Sequence, residues 1–183
     1  DSVLNPTTGA YQRAMFELSP GGDIKYYKAT YQHQRFFAVT RGLVLMLNGE
    51  LGYAKGLSGE AMPFYKNFYA GGVSSVRGYD TASLGPYEIS NTSNDEVRLG
   101  GTRRFVFNAE LLMSAETIGM GKAVRFGPFF DAGQVYGESD GEVKDGGSIR
   151  MSAGLAATWI SPLGPFKFSL AQALNDENDD KLQ

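Results

Sequence analysis

Along most of the chain, apolar residues recur at every second position rather than every third or fourth, in segments of about ten residues. In the clearest case, 41–54, Leu43, Leu45, Leu47, Leu51 and Tyr53 fall on one face of an extended backbone, and Asn48 and Glu50 on the other. Segment 102–114 repeats the pattern, with Phe105, Phe107, Ala109, Leu111 and Met113 opposite Arg104, Asn108 and Glu110. In 123–136, Val124, Phe126, Pro128 and Phe130 oppose Arg125, Gly127, Phe129 and Asp131. Less regular versions occupy 10–19, 25–36, 148–160 and 164–173. There Ala14, Phe16 and Leu18 oppose Arg13 and Glu17; Tyr27, Ala29 and Tyr31 oppose Lys28, Thr30 and Gln32; Met151, Leu155 and Trp159 share a face, as do Phe166, Phe168 and Leu170. The pattern predicts about seven strands, each near the length of a tilted membrane-crossing strand.

Alternation alone fits a half-buried soluble sandwich as well as a membrane barrel. The character of the two faces separates them: the oily face carries Leu, Phe and Met almost without charge, whereas the polar face mixes Arg, Glu, Asn, Gly and Ser. The connectors also alternate between tight junctions, such as Ser161-Pro162-Leu163-Gly164-Pro165, and longer polar excursions, such as 137–147. Short turns at one rim and long loops at the other characterise outer-membrane barrels. The expected fold is therefore all-β, an antiparallel transmembrane β-barrel fragment with a long lumen-plugging loop, 55–101, between the third and fourth strands. Tyr11, Tyr26, Tyr53, Tyr136 and Trp159 near strand ends suit the two membrane interfaces.

No run approaches the roughly 18 apolar residues of a spanning helix, which excludes a helical membrane protein. The formal charge of −3 argues against a nucleic-acid partner held through phosphates. Cysteine is absent. Residues 1–9 read as the middle of a longer protein, with neither an initiator Met nor an apolar signal segment.

The stretch from Met62 to Asp80 departs from the alternation, packing aromatics, glycines and one arginine around Val76-Arg77-Gly78-Tyr79. Rings in such number are costly to leave in water, so the loop is expected to fold back into a cavity with Arg77 as its polar anchor. The segment resembles the Val-Arg-Gly-Tyr loop of the outer-membrane protein insertase family. Asn5-Pro6-Thr7-Thr8-Gly9, Phe129-Phe130-Asp131-Ala132-Gly133, and Met151-Ser152-Ala153-Gly154 leading to Trp159-Ile160-Ser161-Pro162-Leu163-Gly164-Pro165 resemble successive stations of the C-terminal half of that family's barrel. The resemblance implies that residues 1–183 are that half-barrel without its final strand. It also implies that Arg77 is held by acidic wall residues, the matching positions being Glu110 and Asp131. Strand parity independently puts both carboxylates on the lumen side, and the planar guanidinium fork suits two carboxylates at once.

Other chemistry is weak. His33, the only histidine, lacks companions for a metal site and reads as an ordinary strand residue. Gly71-Gly72 and Gly100-Gly101 lack the context of a phosphate cradle. The acidic run from Asp176 to Asp180 lacks the ligand spacing of a calcium loop and reads as an exposed connector. No catalytic residue, cofactor or metal is expected, and an outer-membrane lipase or protease is disfavoured for want of a nucleophile near a base.

The resemblance implies a protein that folds and inserts other β-barrels without nucleotide hydrolysis, in the outer membrane of a Gram-negative bacterium. Its implied partners are outer-membrane lipids, unfolded β-barrel clients and, through the parent protein, assembly-complex lipoproteins. The alternative is the pore of a transporter of the same family that secretes a partner polypeptide. The two margins of a seven-strand sheet also make a fragment dimer through its open edges an expectation.

Overall fold

Alternating apolar side chains give an extended segment one oily face, and such segments hydrogen-bond side by side into a sheet in the computed structural model. The structure describes residues 6–22, 24–59, 62–89, 96–118, 123–137 and 147–175. The strands are β1 (Gly9–Ser19), β2 (Tyr26–Thr40), β3 (Leu43–Gly56), β4 (Tyr87–Ile89), β5 (Glu96–Arg98), β6 (Arg103–Ser114), β7 (Val124–Tyr136), β8 (Arg150–Ser161) and β9 (Gly164–Ala173). Seven form one sheet in the order β1-β2-β3-β6-β7-β8-β9, every neighbouring pair antiparallel. The remaining two, β4 and β5, make a small hairpin inside the long loop. The sheet is not closed: β1 and β9 form its margins. No helix among the described residues is long and apolar enough to cross a membrane.

Some boundaries differ from those read in the sequence. Strand β2 continues to Thr40 rather than stopping at Phe36, because Phe37 and Val39 sustain the alternation. Strand β3 starts at Leu43 rather than Arg41, since Arg41 and Gly42 form the turn, with Gly42 at φ 83. The long loop accordingly spans 57–102. One rim carries the connections 41–42, 115–123 and 162–163; the other carries 20–25, 57–102 and 137–149.

The outward face is apolar and bare: Leu155 and Phe168 are each 61% exposed and Leu51 is 57% exposed. Tyr27 and Tyr53 meet at 5.9 Å near the long-loop rim, and Trp159 stacks on Phe166 at 5.8 Å near the other. Two of the expected interface tyrosines lie elsewhere. Tyr26 is buried on the inner face, where its hydroxyl donates to Glu17, and Tyr11 shares the inward parity of Arg13 and Glu17. Proximity to a strand end does not determine which face a ring takes; the register does.

The inner face is covered by the long loop. Phe68, Ala70, Val76, Tyr79 and Leu84 of the loop pack with Ala54 of β3, Val106 of β6 and Val135 of β7 into one buried cluster. Fully burying each larger side chain contributes about 1.5–3 kcal/mol. The wall makes room at Gly133, where an added Cβ would come within 2.8 Å of the Val76 side chain.

Candidate functional site: a loop anchored inside the wall

Arg77 stands between β6 and β7. Its Nε donates to Asp131 at 2.7 Å and its Nη2 to the other Asp131 oxygen at 2.9 Å, a two-pronged contact, while Nη1 donates to Glu110 at 3.2 Å. The Arg77 backbone N–H adds a further bond to Asp131 at 3.1 Å. The guanidinium carbon lies 3.5 Å from the centroid of the Phe129 ring, so the cation is sandwiched by charge at its edge and a π face beneath. Burial opposes the charged guanidinium, but hydrogen bonding and charge from Asp131, then Glu110, outweigh it and raise the Arg77 pKa.

Asp131 is fully buried. A carboxylate there requires full compensation. Arg77 provides three donors, and Asn108 Nδ2 provides a fourth at 2.9 Å. Strand register makes this possible: Asn108 of β6 faces Asp131 of β7 on one side and Asn48 of β3 on the other. From Asp131 the network runs through Asn108 and Asn48 to Gln32 and Glu50, which pairs with Arg104 at 2.9 Å. Asn108 Nδ2 also donates to the Ser75 carbonyl at 2.7 Å, tying the loop backbone to the wall one residue before Val76.

The rest of the tetrad is held by close packing. Gly78 adopts φ +86, and an added Cβ would lie 3.3 Å from Ala171 of β9, so both conformation and proximity call for glycine. The Tyr79 hydroxyl donates to the Met151 carbonyl of β8 at 2.9 Å and lies 3.1 Å from the Asn175 side chain. At the opposite end of the loop, Lys66 pairs with Glu17 of β1, and Lys28 of β2 donates to the Lys66 carbonyl at 2.7 Å. The loop thus crosses the sheet from one margin to the other.

Val76, Arg77, Gly78 and Tyr79 therefore share one buried site with Glu110 and Asp131. Sequence reasoning missed the Asn108 and Tyr79 anchors and the ring of Phe129 beneath the cation, although parity had placed Asn108 and Phe129 on the inner face. Among the described residues no group of three acidic, histidine or cysteine side chains is arranged to hold a metal. His33 sits on the outward face of β2, beside Gln12. Gly71 (φ +111) and Gly72 (φ +84) shape the start of the tetrad turn. The run Asp176–Asp180 lies outside the described residues.

An open antiparallel sheet with an oily outer face, aromatics toward both rims and a polar inner face clasping a long loop is the wall of a transmembrane β-barrel. The chain belongs to the Omp85 superfamily, whose domain model matches residues 1–183. It is 35% identical to the outer membrane protein assembly factor BamA of Neisseria meningitidis serogroup B, a match covering 100% of this chain and 26% of that protein. It is 29% identical to the BamA of Nitratidesulfovibrio vulgaris, over 98% of this chain and 22% of that one. In three dimensions it matches the crystal structure of BamA from Haemophilus ducreyi lacking POTRA domains 1-3, with a TM-score of 0.85 and 28% identity over 97% of this chain and 37% of that structure. The chain spans about a quarter of the length of these curated relatives, at 26% and 22%. It is part of an outer-membrane β-barrel of a Gram-negative bacterium.

Proposed function

We propose that residues 1–183 form the C-terminal half of the barrel domain of an outer-membrane insertase, which folds and inserts β-barrel proteins without nucleotide hydrolysis. The observation that supports this most is the loop held against the lumen wall by Arg77, Asp131 and Glu110 in a chain of the Omp85 superfamily. A loop tied to β1, β2, β6, β7, β8 and β9 stiffens this side of the barrel. Strand rearrangement during insertion is then left to the parts of the wall that this loop does not bridge.

On this reading the reaction needs no bond-making residue. An unfolded client adds a strand by backbone hydrogen bonding at an opening between the first and last strands of the parent barrel, and mismatch between protein and bilayer lowers the cost of entry. Apolar burial and strand pairing in the client supply the driving force. The partners are outer-membrane lipids on the oily face, unfolded β-barrel clients, and assembly-complex lipoproteins bound through the rest of the parent protein.

The test is client folding by the full-length protein in vesicles, followed by the heat-resistant mobility of the folded client. Arg77→Ala slows client folding, and Arg77→Lys restores part of the rate because a point charge does not reproduce the two-pronged contact. Normal client folding by a stably folded Arg77→Ala protein refutes the role of the loop. Release of a partner polypeptide across the membrane without any effect on client folding points instead to the secretion pore.

A further inference from the structure

We propose that the outward face of β1 and β2 carries a phospholipid headgroup site centred on Arg35. On β1, β2 and β3 the outward positions are otherwise apolar through the middle of the strands; Gln12, His33 and Arg35 break that rule side by side. Gln12 pairs with His33, and Ala10 with Arg35, across β1 and β2. On the other side, His33 faces Gly49 and Arg35 faces Leu47 of β3. The Gln12 amide nitrogen lies 3.0 Å from His33 Nδ1. A Cβ on Gly49 would meet nothing within 4 Å, so the surface beside His33 is open. The result is a small polar patch in an oily wall, between Tyr31 toward one rim and Phe37 toward the other.

A charged side chain facing hydrocarbon is costly unless its head reaches the polar layer or finds a counter-charge. Arg35 leans toward the rim of short turns: its guanidinium carbon lies 4.8 Å from the centroid of the Phe37 ring, two residues nearer that rim on the same face. Its partner Leu47 is four residues beyond the start of β3 at Leu43. That is roughly 13 Å along the strand and about 10 Å in height at a barrel tilt. An arginine stem pointing that way brings its head to the headgroup layer of the adjoining leaflet.

Among the described residues no carboxylate lies on the outward faces of β1, β2 or β3, because Glu17 and Glu50 both point inward. These three strands therefore supply no counter-charge for Arg35. The membrane-facing partner that fits a planar fork of donors is a phosphate oxygen pair. The occupant is an anionic phospholipid, its phosphate on Arg35 and its glycerol region beside the Gln12–His33 pair. The inference rests on the barrel orientation and is independent of the insertase reading.

The experiment uses the full-length protein with a photoreactive residue in place of Leu47, irradiated in vesicles containing phosphatidylglycerol. The expected product is a protein–phospholipid adduct seen as an added lipid mass, lost in Arg35→Gln and partly kept in Arg35→Lys. Heat-resistant mobility checks that each variant retains its barrel, and the Lys variant carries the test if the Gln variant does not fold. An adduct unchanged in Arg35→Gln overturns the proposal. So does a protein-sized adduct in cell membranes, which assigns the patch to a polypeptide partner, or loss of the adduct on adding inorganic phosphate alone.

Discussion

Replacing Asp131 by Asn keeps the side chain's shape and removes its charge. In the wild-type protein Asp131 accepts four hydrogen bonds, three of them from Arg77. After the change, Arg77 keeps only the 3.2 Å contact to Glu110 as a charged partner, and the new amide turns a donor toward groups that are themselves donors. Asp131 is fully buried, and the Arg77 side chain is 13% exposed. The buried-pair estimate of about 3–5 kcal/mol therefore applies rather than the surface value of under about 1 kcal/mol. At about 1.4 kcal/mol per tenfold, the undocked loop gains a factor on the order of one hundred to several thousand in population. With no native cysteine in the chain, Val76→Cys provides a clean probe: a small, fully buried side chain with no polar role to disturb. Its labelling by a water-soluble maleimide follows the open population when opening is fast. The Asp131→Asn background raises the labelling rate by at least about a hundredfold, and Glu110→Gln by about tenfold or less. Equal rates in all three backgrounds refute the idea that this carboxylate holds the loop.

The remaining expectations use the same loop and wall. Gly78→Ala, at φ +86 and 3.3 Å from Ala171, costs about 1–2 kcal/mol of loop docking and raises Val76→Cys labelling roughly tenfold. Tyr79→Phe removes the bond to the Met151 carbonyl and speeds amide exchange at the start of β8, at a cost of about 1 kcal/mol. Cysteines replacing Phe107 or Leu155 resist charged thiol reagents in vesicles, and those replacing Glu50 or Asn108 react through the lumen; the reverse pattern defeats the assignment of faces. Residues 1–183 expressed alone associate through the β1 or β9 margin; light scattering in detergent that finds only monomer excludes edge pairing.

The strands were legible because membrane walls need a period of two and little else, so Leu43 to Tyr53 and Phe105 to Met113 announce both their extent and their faces. Parity also assigns Glu110 and Asp131 to the inner side. It gives no register: that Asn108 stands opposite both Asn48 and Asp131 depends on pairings between strands far apart in sequence. That Arg77 is the loop's polar anchor was readable from the loop's composition, and its acidic partners were implied by the family resemblance. That Asp131 takes the two-pronged contact and Glu110 a single one was not, since it follows from where Val76 settles against Gly133. The β4–β5 hairpin was hidden because its strands of three residues are too short to display any period. Tyr26 misled because an amphipathic ring near a strand end serves a lumen as readily as an interface.

A loop fastened to both margins of a sheet has a kinetic consequence. The contact between Arg77 and Asp131 spans 54 residues, and that between Tyr79 and Asn175 spans 96, so neither forms until the chain beyond the loop has been made and paired. Closing such spans costs entropy before any contact repays it. Until Asp131 is in place, moving the Arg77 cation out of water is unfavourable. Loop docking therefore comes late in folding and succeeds only on a wall whose strands have taken the correct register. A one-residue slip in β7 would turn Asp131 outward and leave the arginine in solvent. In this way the buried charge pair proofreads the barrel that encloses it.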